Sequence, residues 1–473
     1  MDPAPSPAPM PSPAPMPSPA PMPSPAPTRA ILDHPRGLWV LAGTEMWDRV
    51  SFHGMQALLV LYMVGALLLP GHVEAIAGFA AYRHAVESVT GPLSVEALAT
   101  QTFGLYTGLI FFTPLLGGAI GDRIGRRAGV ISGGVLMAAG HFAMAFDRSF
   151  LLALGLLIVG AGLFRGNLLP QVKSLYADGD RREGDAFQLY YAAINVGAVA
   201  APLITGTLAQ VYGWHVGFGF AGVGMVIGVI AYLAGMRLLP PDPARSERAQ
   251  MPALDRAERR RVVGIFVLTL PLVCFWTAQS QVWNVYNLWV RDHVDLMVGG
   301  FTMPVPWLQS LDSLVPLGAV PVALWAWRRQ AARGREPDAV TKIAIGCLLF
   351  ALSTAWLAAA PVAVGADGRV PLWWAVVFHL GSNIGWLFAA PIAMALYGTM
   401  SPAKYRGTLM GMLQVNVFIA SVISGRLGGL YEKWSPTRFW LLHAGIAAAG
   451  GVLLLAGARP VRRLLAPGDL PGG

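Results

Sequence analysis

The sequence predicts an all-α integral membrane protein, twelve spanning helices arranged as two six-helix bundles related by a pseudo-two-fold axis. Three observations carry this. Of the 473 residues, 55% are hydrophobic and only 12% charged, a balance foreign to soluble domains. Apolar runs of about twenty residues recur along nearly the whole chain, the signal of spanning helices rather than of a β-barrel. A charged, Pro- and Ala-rich segment at 240–260 divides those runs six and six.

Residues 1–28 repeat Met-Pro-Ser-Pro-Ala-Pro from Met10, Met16 and Met22, a composition that favours extended polyproline conformers and cannot build a core. They are expected to form a disordered tail. An N-terminal bundle at 29–239 follows, with spans at 37–65, 97–120, 128–146, 149–174, 185–209 and 214–238. The cytoplasmic linker 240–260 leads to a C-terminal bundle at 261–458, with spans at 261–289, 304–327, 339–361, 371–398, 405–428 and 437–457. A tail at 459–473 ends the chain. The loop from about Pro70 to Ser94 has patterning too weak to assign. Cys274 and Cys347 fall in apolar spans without ligand or redox spacing and read as small core residues.

Lys and Arg near helix ends are retained on the cytoplasmic side. They cluster after the second span (Arg123, Arg126, Arg127), in the linker (Arg256, Arg259, Arg260, Arg261), after the eighth span (Arg328, Arg329) and after the last (Arg459, Arg462, Arg463). The opposite loops carry scattered single bases such as Arg83, Arg148 and Arg369. Both termini are therefore expected in the cytoplasm of a plasma-membrane protein. The net charge of +9 is explained by this asymmetry, which argues against nucleic-acid binding.

The first span carries Glu45, Asp48 and Arg49 within Gly43-Thr-Glu-Met-Trp-Asp-Arg-Val-Ser-Phe-His-Gly54. Spacings of three and four put all three on one helical face, where they can pair with one another rather than with lipid. Ionisable groups in a span mark a substrate or proton pathway by default, and two acids against one base leave a carboxylate free to take a proton. The alternative is an ion network that only locks helices together.

After the second span comes Gly118-Ala-Ile-Gly-Asp122-Arg123-Ile-Gly125-Arg126-Arg127. Its glycines permit a tight turn and close helix approach, and Asp122 can bond neighbouring helix ends. This stretch resembles the loop signature of major facilitator transporters. The first-span motif is similar to Glu-x-x-Glu-Arg-Phe-x-Tyr-Tyr-Gly of the proton-dependent oligopeptide transporters within that superfamily. Phe164-Arg165-Gly166-Asn167 resembles their fourth-span Phe-Lys-Pro-Asn, and Phe187-Gln-Leu-Tyr190-Tyr191-Ala-Ala-Ile194-Asn195 their fifth-span signature. In the second half, Phe275-Trp276, Pro306-Trp307-Leu-Gln309 and Ala390-Pro391 fit more loosely.

The departures from that pattern bear on specificity. Arg165 stands where the family has Lys, Ser280 before Gln281 where the seventh span carries Glu, and Trp386 where the tenth carries Glu. Asp312 replaces an eighth-span Asn. A guanidinium binds carboxylate in a rigid two-point fork and does not trade protons, so Arg165 requires an acid among Glu45, Asp48 and Asp312. His53 stands at a family Tyr. From the residues alone, Trp276, Trp283, Tyr286 and Trp386 read as bundle packing; the resemblance makes them candidates for a pocket wall.

The resemblance implies a proton-coupled symporter that imports di- or tripeptides or peptide-like solutes by alternating access. Loss of the two acids keeps open a transporter of non-peptide anions, such as nitrate or a carboxylated natural product; a non-transporting receptor is the remaining alternative. Proton coupling falls to Glu45, Asp48 and Arg49. Substrate binding falls to Arg49, Arg165, Tyr190, Tyr191, Asn195, Trp276, Gln281, Asp312 and Trp386, with Asp312 toward a substrate amine. Gating falls to Gly118, Asp122, Arg123 and Arg126. No enzyme chemistry, metal or cofactor other than protons is expected. The partners are a small-molecule substrate, a peptide by default, and the lipid bilayer, with the single chain as working unit.

Overall fold

A computed structural model of the chain describes residues 30–177, 180–242, 254–365, 368–402 and 405–465. The repeat tail 1–28, most of the linker, Lys404 and the last eight residues lie outside the described residues.

Helix α1, Arg36–Tyr62, continues through a π-turn at Met63–Leu67 and is the most enclosed element, with Leu38, Leu41, Met55, Leu58 and Leu59 all inaccessible. The unassigned loop folds as α2, Phe79–Thr90, bounded by Gly78 and Gly91 at φ +77° and +76°. Ser94 caps α3, Val95–Ile124, by accepting from the Ala97 N–H. Gly125, at φ +97°, turns the chain into α4, Arg126–Ala143, and α5 follows at Phe150–Lys173. Helices α6, Arg182–Tyr212, and α7, Trp214–Gly235, join at Gly213, φ +94°. Between α5 and α6, bonds from the Arg182 side chain and backbone N–H hold the Asp180 carboxyl down to about 2.

In the second half, Asp255 and Glu258 form a reciprocal capping box at the start of α8, Arg256–Gln279. The single span expected at 261–289 is broken. A 3₁₀ turn at Ser280–Val282 separates α8 from α9, Val285–His293, with Asn284 in a non-helical conformation between them. A 3₁₀ segment at Val305–Ser310 leads into α10, Leu311–Ala331. Then come α11, Ala339–Ala358, the short α12, Ala360–Val364, and α13, Leu372–Met400. The chain ends with α14, Arg406–Gly428, α15, Pro436–Ala456, and α16, Ala458–Leu465, which forms the first part of the expected tail.

Eleven described helical segments are long and apolar enough to cross a membrane. The twelfth expected span is α4, whose eighteen residues begin with Arg126 and Arg127 and fall outside that group; it packs on α5 and α7.

The two halves repeat one packing scheme. α1 packs on α6 and α7, as α8 packs on α14 and α15; α3 and α4 pack on α5, as α10 and α11 pack on α13. Small residues allow the closest approaches. A Cβ on Gly160 of α5 would lie 2.8 Å from the Gly133 carbonyl oxygen of α4. At the matching place in the other half, a Cβ on Gly385 of α13 would lie 2.9 Å from the Gly346 carbonyl oxygen of α11. Between the halves, α3 meets α14 and α6 meets α10, again equivalent under the pseudo-two-fold.

The described hydrogen bonds that cross between halves gather toward one end of the molecule. Arg426 donates to the Thr90 carbonyl at 2.7 Å, Gln210 to that of Thr302 at 2.8 Å, and Trp307 Nε1 to that of Leu203 at 3.0 Å. Ser310 donates to the Val199 carbonyl at 2.8 Å.

Candidate functional site

The three ionisable residues of α1 meet a second cation from α5. Arg49 Nε donates to Glu45 Oε1 at 2.9 Å, and its Nη2 lies 3.0 Å from Asp48 Oδ2. Arg165 approaches both oxygens of Asp48, at 3.2 Å from Nε and 3.4 Å from Nη2. From α6, Tyr190 Oη donates to Glu45 Oε2 at 2.8 Å. Side-chain exposure is 0% for Asp48, 6% for Glu45, 10% for Arg165 and 16% for Arg49, so the network is largely removed from solvent. Arg165 corrects the charge balance drawn from the first span alone: two carboxylates face two guanidiniums, and neither acid is left over.

Phe52, one turn along α1, ties this network to a cavity. The Arg165 guanidinium sits 4.1 Å from the Phe52 ring centre, the Arg49 guanidinium 5.9 Å. The same ring lines a cavity of about 280 Å³ between the two halves, close to the lower end of small-molecule sites at about 300 Å³. The N-terminal half contributes Phe52, His53, Gln56, Tyr191 and Asn195; the other half contributes Trp276, Trp283, Asp312, Asn383 and Trp386. The His53 and Trp283 rings meet across the division, their centres 5.1 Å apart.

Asp312 stands in the first turn of α10. Its Oδ1 accepts from Asn383 Nδ2 at 2.9 Å and lies 2.8 Å from His379 Nδ1, both on α13. One carboxylate oxygen thus takes both partners, while Oδ2 is buried with none among the described residues. Asp312 is the one carboxylate among the described cavity-lining residues. An acid placed this way can receive a cation entering the cavity.

The expected substrate residues therefore divide into three groups. Tyr191, Asn195, Trp276, Asp312 and Trp386 line the cavity. Arg49, Arg165 and Tyr190 belong to the ion network on the other side of Phe52. Gln281 is a correction: the 3₁₀ break turns it away, and its Nε2 donates to the Ser424 carbonyl at 2.9 Å and lies 3.0 Å from His443 Nε2. It is fully buried between α14 and α15, with no face on the cavity.

Of the expected gating residues, Gly118 lies against Gly166, where an added Cβ would be 3.4 Å from the carbonyl oxygen. Asp122 is 70% exposed and 3.8 Å from Arg126, a loose contact across the Gly125 turn between α3 and α4. Arg123 is exposed. Arg127 is the firmer anchor, its Nη2 donating to the Leu239 and Pro240 carbonyls at 2.6 and 2.8 Å. His379 and Asn383 were not among the expected site residues. Their signal was a pair of polar residues four apart in the apolar tenth span, which puts both on one face.

Comparison with known proteins agrees with this architecture. A family model described as the POT family matches residues 127–253 and 243–441. The uncharacterized transporter YclF of Bacillus subtilis is 27% identical, the match covering 90% of this chain and 94% of the relative. The peptide transporter YePEPT of Yersinia enterocolitica is also 27% identical, over 92% and 96% of the two chains. A di-/tripeptide transporter of Lactococcus lactis subsp. cremoris is 23% identical over 92% and 98%. Among solved structures, a peptide transporter POT in complex with sulfate superposes with a TM-score of 0.80 at 25% identity, covering 93% of this chain and 97% of that one.

Proposed function

From the premise that this chain belongs to the POT family, we propose that it is a proton-coupled symporter importing di- and tripeptides by alternating access. Relatives matched over 92% of this chain are named as peptide and di-/tripeptide transporters. The single observation that carries the coupling is the buried, charge-balanced Glu45–Arg49–Asp48–Arg165 network beside the inter-bundle cavity.

A peptide offers a carboxylate and, in most cases, an ammonium group. Its carboxylate competes with Glu45 and Asp48 for Arg49 and Arg165, whose forks suit two-point carboxylate binding. Each carboxylate deprived of its guanidinium loses about 4 kcal/mol of Coulomb attraction at an effective dielectric near 20. Ionised and unpaired in a site this dry, it must take a proton. Proton and substrate thus arrive together. Phe52 is the residue around which an arginine would swing to reach the cavity, and Asp312 Oδ2 meets the ammonium. Tyr191 and Asn195 provide the polar wall between, and Trp276 and Trp386 the apolar one.

The chain works in the plasma membrane with both termini cytoplasmic, as a single chain, with protons as the only cofactor and no enzymatic step. In that orientation the hydrogen-bonded end, at Thr90, Thr302 and Leu203, faces outward and closes the external route. Gly118, Asp122, Arg123 and Arg126 lie at the opposite end and act on the exchange between states.

Counterflow in proteoliposomes tests the substrate class. Vesicles loaded with unlabelled dialanine should transiently concentrate labelled dialanine without any proton gradient, and nitrate inside should not support this. Counterflow driven by nitrate and not by the dipeptide would refute the peptide reading.

A further inference from the structure

Asp312 and His379 form a second titratable pair that the mechanism above leaves half used. The His379 ring is fully buried, its Nδ1 lies 2.8 Å from Asp312 Oδ1, and its Nε2 has no partner among the described residues. Asn383 is the other side chain bonded to Asp312, and it is neutral in every state. From α9, Tyr286 sets its ring edge-on to the imidazole with centres 5.1 Å apart, and its hydroxyl is also buried without a described partner. His53, on α1, is the other titratable side chain lining the cavity apart from Tyr191. Among the described residues, no Lys or Arg pairs with Asp312.

We propose that Asp312 and His379 together hold one exchangeable proton, which the ammonium group of the substrate displaces. A single carboxylate in a low-dielectric wall is neutralised by one cation: without one it is a costly unpaired charge, and with two it carries an uncompensated positive charge. In the empty cavity that cation is the His379 imidazolium, donating from Nδ1 to Oδ1. When an ammonium binds Oδ2, the imidazolium loses one proton, which passes to bulk water, and remains as neutral imidazole. The carboxylate stays ionised, and one positive charge has replaced another. Amine-bearing substrates therefore bind with proton release here, opposite in sign to the uptake at Glu45 and Asp48, and acidic pH weakens their binding at this end of the cavity. This rests on the peptide reading only in naming the amine.

The test is calorimetry on the full chain in lipid nanodiscs, titrating dialanine at one fixed pH in two buffers of different protonation enthalpy. His379→Gln keeps a donor toward Asp312 but cannot carry the proton. The expected result is that the variant takes up more protons per dialanine bound than the unmodified chain, by up to one. Asp312→Asn provides a second variant and should show the same increase over the unmodified chain. Equal proton counts in all three proteins overturn the proposal. If dialanine binds none of them, the peptide reading fails. The pair is then judged without substrate, by infrared difference spectra between roughly pH 5 and 8. An imidazolium signal lost in His379→Gln sustains the exchangeable proton, and identical spectra overturn it.

Discussion

Substituting Glu45→Gln separates proton coupling from substrate exchange. Glu45 holds Arg49 through Nε at 2.9 Å and accepts the Tyr190 hydroxyl at 2.8 Å, with only 6% of its side chain exposed. Gln keeps a carbonyl acceptor for one of these two donors, sets an N–H donor in place of the other oxygen and removes the charge, leaving two guanidiniums against Asp48 alone. The lost Coulomb term is about 4 kcal/mol at an effective dielectric near 20. Breaking a buried pair from one side typically costs about 3–5 kcal/mol, so the variant should be less thermally stable yet assembled. Gln also imitates the protonated acid, and the network no longer has to release a proton for the carrier to turn around. In proteoliposomes the variant should retain counterflow of labelled dipeptide while losing accumulation under an inward proton gradient. A variant that still concentrates dipeptide under that gradient would show that Glu45 does not carry the coupled proton.

Asp122→Asn should slow uptake several-fold with little change in affinity by calorimetry, because the residue is exposed and far from the cavity; a large affinity loss with normal turnover would contradict a gating role. In competition at fixed pH, Lys-containing dipeptides should inhibit less than Asp- or Glu-containing ones. Ser280 and Trp386 bring no negative charge to the wall, and the proposed binding mode assigns Asp312 to the substrate's own amine; equal inhibition by acidic and basic peptides refutes this field argument. Gly160→Val should lower the melting temperature by the equivalent of about 1–3 kcal/mol, since even a Cβ there would sit 2.7 Å from Met137 Cγ and 2.8 Å from the Gly133 carbonyl oxygen. Unchanged stability would mean that α4 and α5 separate at little cost.

Hydropathy located the helices because lipid imposes one simple requirement on each. The expected span 437–457 differs little from α15, and the first-span motif placed Glu45, Asp48 and Arg49 on one face. Four features were not legible, each for a physical reason. The break at Ser280–Val282 leaves hydropathy unchanged, so residues 261–289 read as one helix and Gln281 was placed on the wrong side. The charge balance of the network depends on a contact between residues 117 positions apart, Asp48 and Arg165. The chemistry of Asp312 depends on which tenth-span residues α10 meets, and no local pattern assigns His379 and Asn383 to it. Helix α2 was missed because its ends are set by glycine conformation rather than by an apolar stripe.

The central claim is that inward proton movement drives peptide uptake through this chain. Its most direct test is the steady-state ratio of labelled dialanine inside and outside proteoliposomes under an imposed inward proton gradient, read before and after a protonophore is added. The account predicts accumulation well above the external concentration, collapsing toward equality when the gradient is dissipated. A ratio that stays at equality with the gradient intact, in vesicles that show counterflow, would contradict coupling and leave the chain a facilitator.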